Sequence, residues 1–443
     1  MTKRATTICV IVRAGVGNGV SRGIHMTLDR ASWLCCVLLL LSPAALAGPG
    51  TASPELRKPK IRAITAFVRI DATQYRAQIQ QTLDILRAAK RSFEKGGYEV
   101  QTIRITTQPF QEYVAGLSEA QALQLFTAMG DLAVKESFYL NIGPLLLNQP
   151  EGLSQVGLLS KILATTKINA SLPVADAGGV NWTAVRAAAE VIKYVEEHSR
   201  NGAGNFDFAA VAMVPPGGPF YPGSNHDGPG HQFSVGWEAG AFVEDVLAEA
   251  KGGATAAEPQ LARKFDEQAR AVDALASKVA GETGWSYLGL DPTPAPGPNS
   301  SIGAAIETFL GAKFGSSGTL TAAAMITAAE RSISVKRVGY SGLMLPVLED
   351  PVLSERWAEG LFDLDSLLAY SAVCGTGLDV VPLPGDVSRH QLERIIGDMA
   401  SLAVKWNKPL TARLVPAPGK KAGDRTDFDF GLPFPNTALM PLK

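Results

Sequence analysis

Ile64, Ala66, Val68 and Ile70 alternate with polar or small residues, the two-residue period of a strand with one buried face. The period then changes. Ile79, Leu83, Leu86, Ala89 and Phe93 recur at three- and four-residue steps, which predicts a helix with one core-facing stripe, and Gly96-Gly97 stops it. The exchange repeats down the chain. Further strands are predicted near residues 98–106, 138–142, 167–172, 208–214, 232–237 and 411–416, and in the short apolar run that ends at Leu290. Residues 208–214 are apolar on both faces, so that strand is expected to be central, with cover above and below. Ser118 with Gln121, and Ser388 with Gln391, have the spacing of capping boxes that open helices. Strands alternate with helices nearly throughout, which predicts one α/β domain with a partly parallel sheet or barrel. Nothing in the pattern supports a domain boundary inside it.

Residues 285–326 are the most distinctive stretch. The Pro-rich run after Asp291 is expected to end its strand. Ser300 or Ser301 then caps a helix, and Gly315 to Thr319 precedes a second. Helix N-termini carry unpaired N–H groups, so both are candidate cradles for a carboxylate, a phosphate or a polarised carbonyl. Residues 215–231, rich in Pro and Gly, form the longest loop. A structureless loop of this length in a compact domain is usually functional or disordered.

Composition changes the picture at the N-terminus. The sequence has 443 residues, and residues 26–48 combine Arg30, an apolar core from Trp33 to Leu41 and small residues up to Ala47. That is the pattern of a secretory signal peptide, cleaved after Ala47, with residues 1–25 as an upstream extension. The expected mature protein is exported, periplasmic or extracellular, and residues 48–443 form the single domain. The apolar core is too short to span a bilayer, which needs roughly 20 residues. Cys9, Cys35 and Cys36 fall in the removed segment, so Cys374 has no disulfide partner in the mature chain. A formal net charge of −1 gives no electrostatic case for nucleic acid or an anionic membrane. A small molecule is the expected ligand, and a homo-oligomer is compatible with the sequence.

Several motifs follow one another in the order of a known family: Ile61-Arg-Ala-Ile-Thr65, Leu290-Asp-Pro-Thr-Pro-Ala-Pro296, Gly315-Ser-Ser-Gly-Thr319, Tyr340-Ser-Gly-Leu-Met-Leu-Pro346 and Val373-Cys-Gly-Thr-Gly-Leu-Asp379. The chain resembles uncharacterised protein family 0210, also called domain of unknown function 711, over nearly everything after the signal peptide. The resemblance implies a single barrel of about ten strands, similar to that of pyruvate formate-lyase and the ribonucleotide reductases. No activity comes with it. Ser317 stands where relatives often carry a histidine, and His231 where they tend to have an acid. Arg337-Val-Gly-Tyr340 echoes a glycyl-radical loop but lacks one of its residues, so Cys374 reads as a small buried core residue.

His226, Asp227, His231 and Glu238 lie close together in sequence, which suggests proton transfer by a histidine. A divalent metal at His226, His231 and Glu238 is the competing reading, although the spacing matches no specific zinc motif. Asp291 and Asp379 each are read as following an apolar strand and preceding a loop, where a buried carboxylate can serve as a general base. The expected pocket gathers Asn169, Asn181, His226, His231, Asp291, Ser300, Ser301, Thr319, Ser341 and Asp379 at the loop ends. Asp291, His226 and His231 are its catalytic candidates, and the others its binding groups. The favoured function is acid/base chemistry of a lyase or hydrolase type on a small anionic or carbonyl-containing molecule. The rival is a non-catalytic binding protein of the periplasm or cell surface.

Overall fold

The computed structural model describes residues 56–149, 151–297, 299–431 and 434–442. The expected signal peptide and its upstream extension lie outside the described residues. Ten strands are formed: β1 (Lys60–Val68), β2 (Val100–Thr107), β3 (Tyr139–Pro144), β4 (Ile168–Asp176), β5 (Gly179–Val180), β6 (Phe208–Ala212), β7 (Gln232–Glu238), β8 (Ser286–Ala295), β9 (Gly377–Pro384) and β10 (Leu410–Ala417). They make one sheet in the order β8-β7-β1-β2-β3-β4-β6-β10-β9, with β5 paired to β4 alone. β1, β2, β3, β4 and β6 run parallel. β7 and β10 pair antiparallel to the two sides of that set, and β8 and β9 follow them in parallel. The fold is therefore mixed α/β, and Leu56–Lys443 clusters as one compact unit.

Strand pairing does not close the sheet into the expected barrel, because β8 and β9 remain its two ends. Residues 336–347 run along both of those ends. Leu290 and Lys336 to Val338 exchange backbone hydrogen bonds of 3.0 Å, while the Gly375 N–H donates to Leu343 O at 3.0 Å and the Val347 N–H to Asp379 O at 3.1 Å.

The two faces of the sheet differ in chemistry. Ile64, Ala66 and Val68 pack with the helix stripe of Ile79, Leu83 and Leu86 in the main apolar core, as their alternation predicts. Thr65, Thr106 and Asn141 lie on the other face, and there they hold the long loop. Thr65 Oγ1 donates to Pro219 O at 2.9 Å, Asn141 Nδ2 to Pro222 O at 2.8 Å, and the hydroxyls of Thr106 and Ser224 meet at 2.8 Å. Residues 215–231, expected only as a long loop, thus cross this inner face of the sheet. A buried loop must have its backbone carbonyls satisfied, and Thr65 and Asn141 do this for Pro219 and Pro222.

β8 runs on through Pro292 and Pro294, where the proline run was expected to end it. Proline is tolerated on a strand at the end of a sheet, because the missing N–H breaks no ladder on the free side. Asp291 and Asp379 consequently lie inside β8 and β9 and not in the loops beyond them. Both capping boxes form as expected, at Ser118 with Gln121 and at Ser388 with Gln391. Among the described residues no helix is long and apolar enough to cross a membrane.

Candidate functional site

A cleft of about 300 Å³ opens on the inner face, between the first residues of β3 and β4 and the last of β8. Its walls carry three arginines, Arg62, Arg104 and Arg413, and three carboxylates, Asp207, Glu349 and Asp379. Most of these charges neutralise one another. Arg62 bonds Glu349 at 2.9 Å and Glu238 at 3.3 Å, and Arg413 bonds the other oxygen of Glu349 at 2.9 Å and Asp379 at 3.2 Å. Gln101 Nε2 and Ser300 Oγ also donate to Glu238, at 2.7 and 3.1 Å. Asp379 sits opposite Arg413 at a register shift between β9 and β10, which turns both side chains towards the same space. Burial pushes the Asp379 carboxyl upward against the pull of Arg413.

Arg104 is the exception. Its guanidinium lies 5.0 Å from the ring centre of Tyr221 and 5.9 Å from that of Tyr139. Nε donates to Thr102 Oγ1 at 2.9 Å, and no described carboxylate comes within ion-pair distance of the group. Burial, aided by the positive charge of Arg62, lowers its pKa to about 10, so it remains protonated near neutrality. A half-buried guanidinium beside two aromatic rings, with no ion-pair partner among the described residues, keeps donors that suit an anion.

Asp207 is the matching exception among the acids. It immediately precedes β6, and its carboxylate makes no hydrogen bond or ion pair to a described residue. Burial pushes its pKa up to about 6, with Lys167 and Arg413 pulling the other way. A carboxyl that titrates close to neutrality and keeps its lone pairs free is suited to taking up and returning a proton.

Of the residues singled out from the sequence, Asn169 and Asp379 line this cleft, and Ser300 reaches its margin through Glu238. The others are dispersed. Asp291 accepts four hydrogen bonds: from the Thr293 hydroxyl and N–H, and from the Tyr340 and Ser341 N–H groups, at 2.5–3.1 Å. It ties β8 to the turn at residues 339–342, and burial raises its pKa to about 6. Ser341 participates through that backbone N–H. His226 is buried against Phe67 with Nε2 2.9 Å from Val68 O, and burial lowers its pKa. Through the register of β1, β7 and β8, Asp291 stands level with Ala63, five residues along β1 from Val68. At about 3.3 Å per residue that separates His226 from Asp291 by more than 15 Å.

The first of the two helix N-termini is already occupied, and the second, behind Gly318, has no side-chain cap. Ser301 Oγ and the N–H groups of Ile302 and Gly303 donate to the Asp350 carboxylate at 2.6, 2.7 and 3.2 Å. The same carboxylate accepts from Val352 and Leu353 and so opens a later helix, Pro351–Ala358. The anion predicted for the first helix is thus the protein's own Asp350. Thr319 turns its hydroxyl to Ser316 O and to the Gly315 N–H, and Asn181 caps the helix Trp182–His198.

His231 and Glu238 flank β7 at opposite ends, about 20 Å apart at the rise of a strand, so they cannot share an ion with His226. His231 is exposed, edge-on to Trp285, and Glu238 is committed to Arg62. Among the described residues no group of three or more His, Cys, Asp or Glu side chains is placed to hold a metal. Cys374 is fully buried in the apolar core.

Comparison with known proteins places this architecture. Residues 55–429 match the family described as Uncharacterised ACR (DUF711). A UPF0210 protein of Pyrobaculum aerophilum is 29% identical over 415 residues, covering 87% of this chain and 91% of its own. UPF0210 proteins of Acetivibrio thermocellus and Desulforudis audaxviator are 31% and 33% identical, covering 67% and 60% of this chain and 66% and 62% of their own. With the match running across nearly all of the described fold, including every wall of the cleft but Phe434, the chain belongs to the DUF711 family.

Proposed function

We propose that the cleft is the active site of an enzyme that holds a small organic anion at Arg104 and moves a proton through Asp207, in chemistry of a lyase or hydrolase type. The observation that carries this reading is the unneutralised guanidinium between Tyr139 and Tyr221, in a cleft whose other arginines are paired. The test is a calorimetric and turnover screen of small carboxylates and phosphate esters. Wild type should bind an anion, Arg104→Met should not, and Asp207→Asn should bind without turning over. A second reading, a non-catalytic binding protein, is favoured by how few free acid groups the cleft offers. It predicts anion binding with no product from any bound compound.

We propose further that residues 336–347 act as the missing closing strand, giving a barrel similar to that of pyruvate formate-lyase. Leaving aside β5, which pairs only with β4, five strands run one way and four the other, and the bridge between Leu290 and Arg337 is parallel, as a fifth strand of the smaller set would require. Amide exchange at Leu290, Val338, Val347 and Gly375 as slow as in β1 would support closure. Export is also proposed, from the pattern of residues 26–48 alone. Sequencing the N-terminus of the mature protein tests it, with Gly48 expected first.

A further inference from the structure

A second cavity, of about 330 Å³, lies beside the cleft and shares Tyr139, Asn169, Phe206 and Asp207 with it as a common wall. The two differ in lining. The cleft is rich in paired charge, whereas the second chamber adds to the shared wall chiefly Ala133, Val134, Phe138, Ala203 and Phe430, with Lys167 and Ser137 as the polar members it does not share. Phe206 stacks on Phe430 with ring centres 4.6 Å apart, so the partition itself presents an aromatic face. Val134 is 66% exposed and forms part of the far margin.

Isolated apolar side chains on a surface need no explanation. An apolar chamber that continues a charged one through a shared wall does, because the two together match a molecule with an ionic head and an apolar body. We infer that the ligand is an amphipathic organic acid, with its carboxylate at Arg104, an alkyl or aryl tail in the second chamber, and the bonds between them passing Asn169 and Asp207. This rests on the anion reading of Arg104 and adds the tail. It also accounts for where Asp207 stands, since a proton-transferring group at the partition faces the middle of such a molecule and not its head.

The test is calorimetry on the whole protein with straight-chain carboxylates from propionate to octanoate. Once the tail reaches the second chamber, affinity should rise about fourfold for each added methylene, the value of burying one CH₂ group. Val134→Lys, at an exposed position where the fold tolerates it, puts a charge at the chamber's margin and should sharply reduce the ratio of octanoate to propionate affinity. Propionate binding that is lost in Arg104→Met, together with a series flat in chain length, overturns the tail and leaves the anion reading standing. A rising series that Val134→Lys does not change overturns the placement of the tail. No binding by any member overturns both.

Discussion

The guanidinium of Arg104 lies 5.0 Å from the centre of the Tyr221 ring, and Tyr221 comes from the loop that crosses the inner face of the sheet. The proposed anion site thus draws on two sources, a strand that supplies the charge and a buried loop that supplies an aromatic face. Arg104→Met should leave the fold intact, because it replaces a desolvated charge with an apolar group of similar length. Its thermal midpoint should equal or exceed that of wild type. Anion affinity should fall at least tenfold, as expected for loss of a charge-assisted hydrogen bond worth about 1.5–3 kcal/mol.

Asp207 predicts a pH dependence of known sign. Its folded pKa, raised to about 6, lies above the usual aspartate value, so the folded state binds the proton more tightly than the unfolded chain. Its contribution to stability is full below about pH 4 and is lost as pH rises through 6. Asp207→Asn should therefore be as stable as wild type at pH 4 and more stable at pH 7, measured by urea unfolding at both. If Asp207 acts as the base, wild-type turnover should climb with an apparent pKa near 6.

Asp350 binds two helix starts with one carboxylate, so its loss removes two caps at once. Asp350→Ala should cost about 2–4 kcal/mol in denaturant unfolding, at the upper end for a cap because the orphaned N–H groups are buried. Ligand binding at Arg104 should survive wherever the variant is folded.

Asp291 is expected to matter for stability and not for turnover. Asp291→Asn keeps one acceptor oxygen and turns an amide towards either the Tyr340 or the Ser341 N–H, a loss of about 1–3 kcal/mol. Gly339→Ala should be worse. Gly339 has φ +68°, and a Cβ there would stand 2.1 Å from Asp291 Oδ2. A drop in the thermal midpoint for both variants, with unchanged activity per folded molecule, is the expected result.

Periodicity made the strands and helices legible, because a face that must be buried leaves its spacing in the chain. The site was less so. The sequence reading looked for chemistry in loops and at helix starts, where glycines and hydroxyls stand out, and found groups that the protein uses on itself: Asp350 fills one helix start, and the Tyr340 and Ser341 amides occupy Asp291. The cleft arginines are visible in the sequence in another way. Ile103-Arg104-Ile105 and Ala412-Arg413-Leu414 each place a charge inside an apolar strand, on the face opposite the core. A charge so placed signals a polar interior. Asp207 left no such signal, because its isolation depends on which neighbours the fold gives to other partners. Nothing in the spacing of residues 215–231 showed that the loop would lie on the sheet and not beyond it.

That loop decides the shape of the space available to a ligand. Pro219, Pro222 and Ser224 are fastened across this face of the sheet, and Phe220 and Tyr221 between them line the cleft. That part of the cleft is walled by a segment that belongs to no strand, so a change of one side chain there can resize the space while the strands beneath stay as they are.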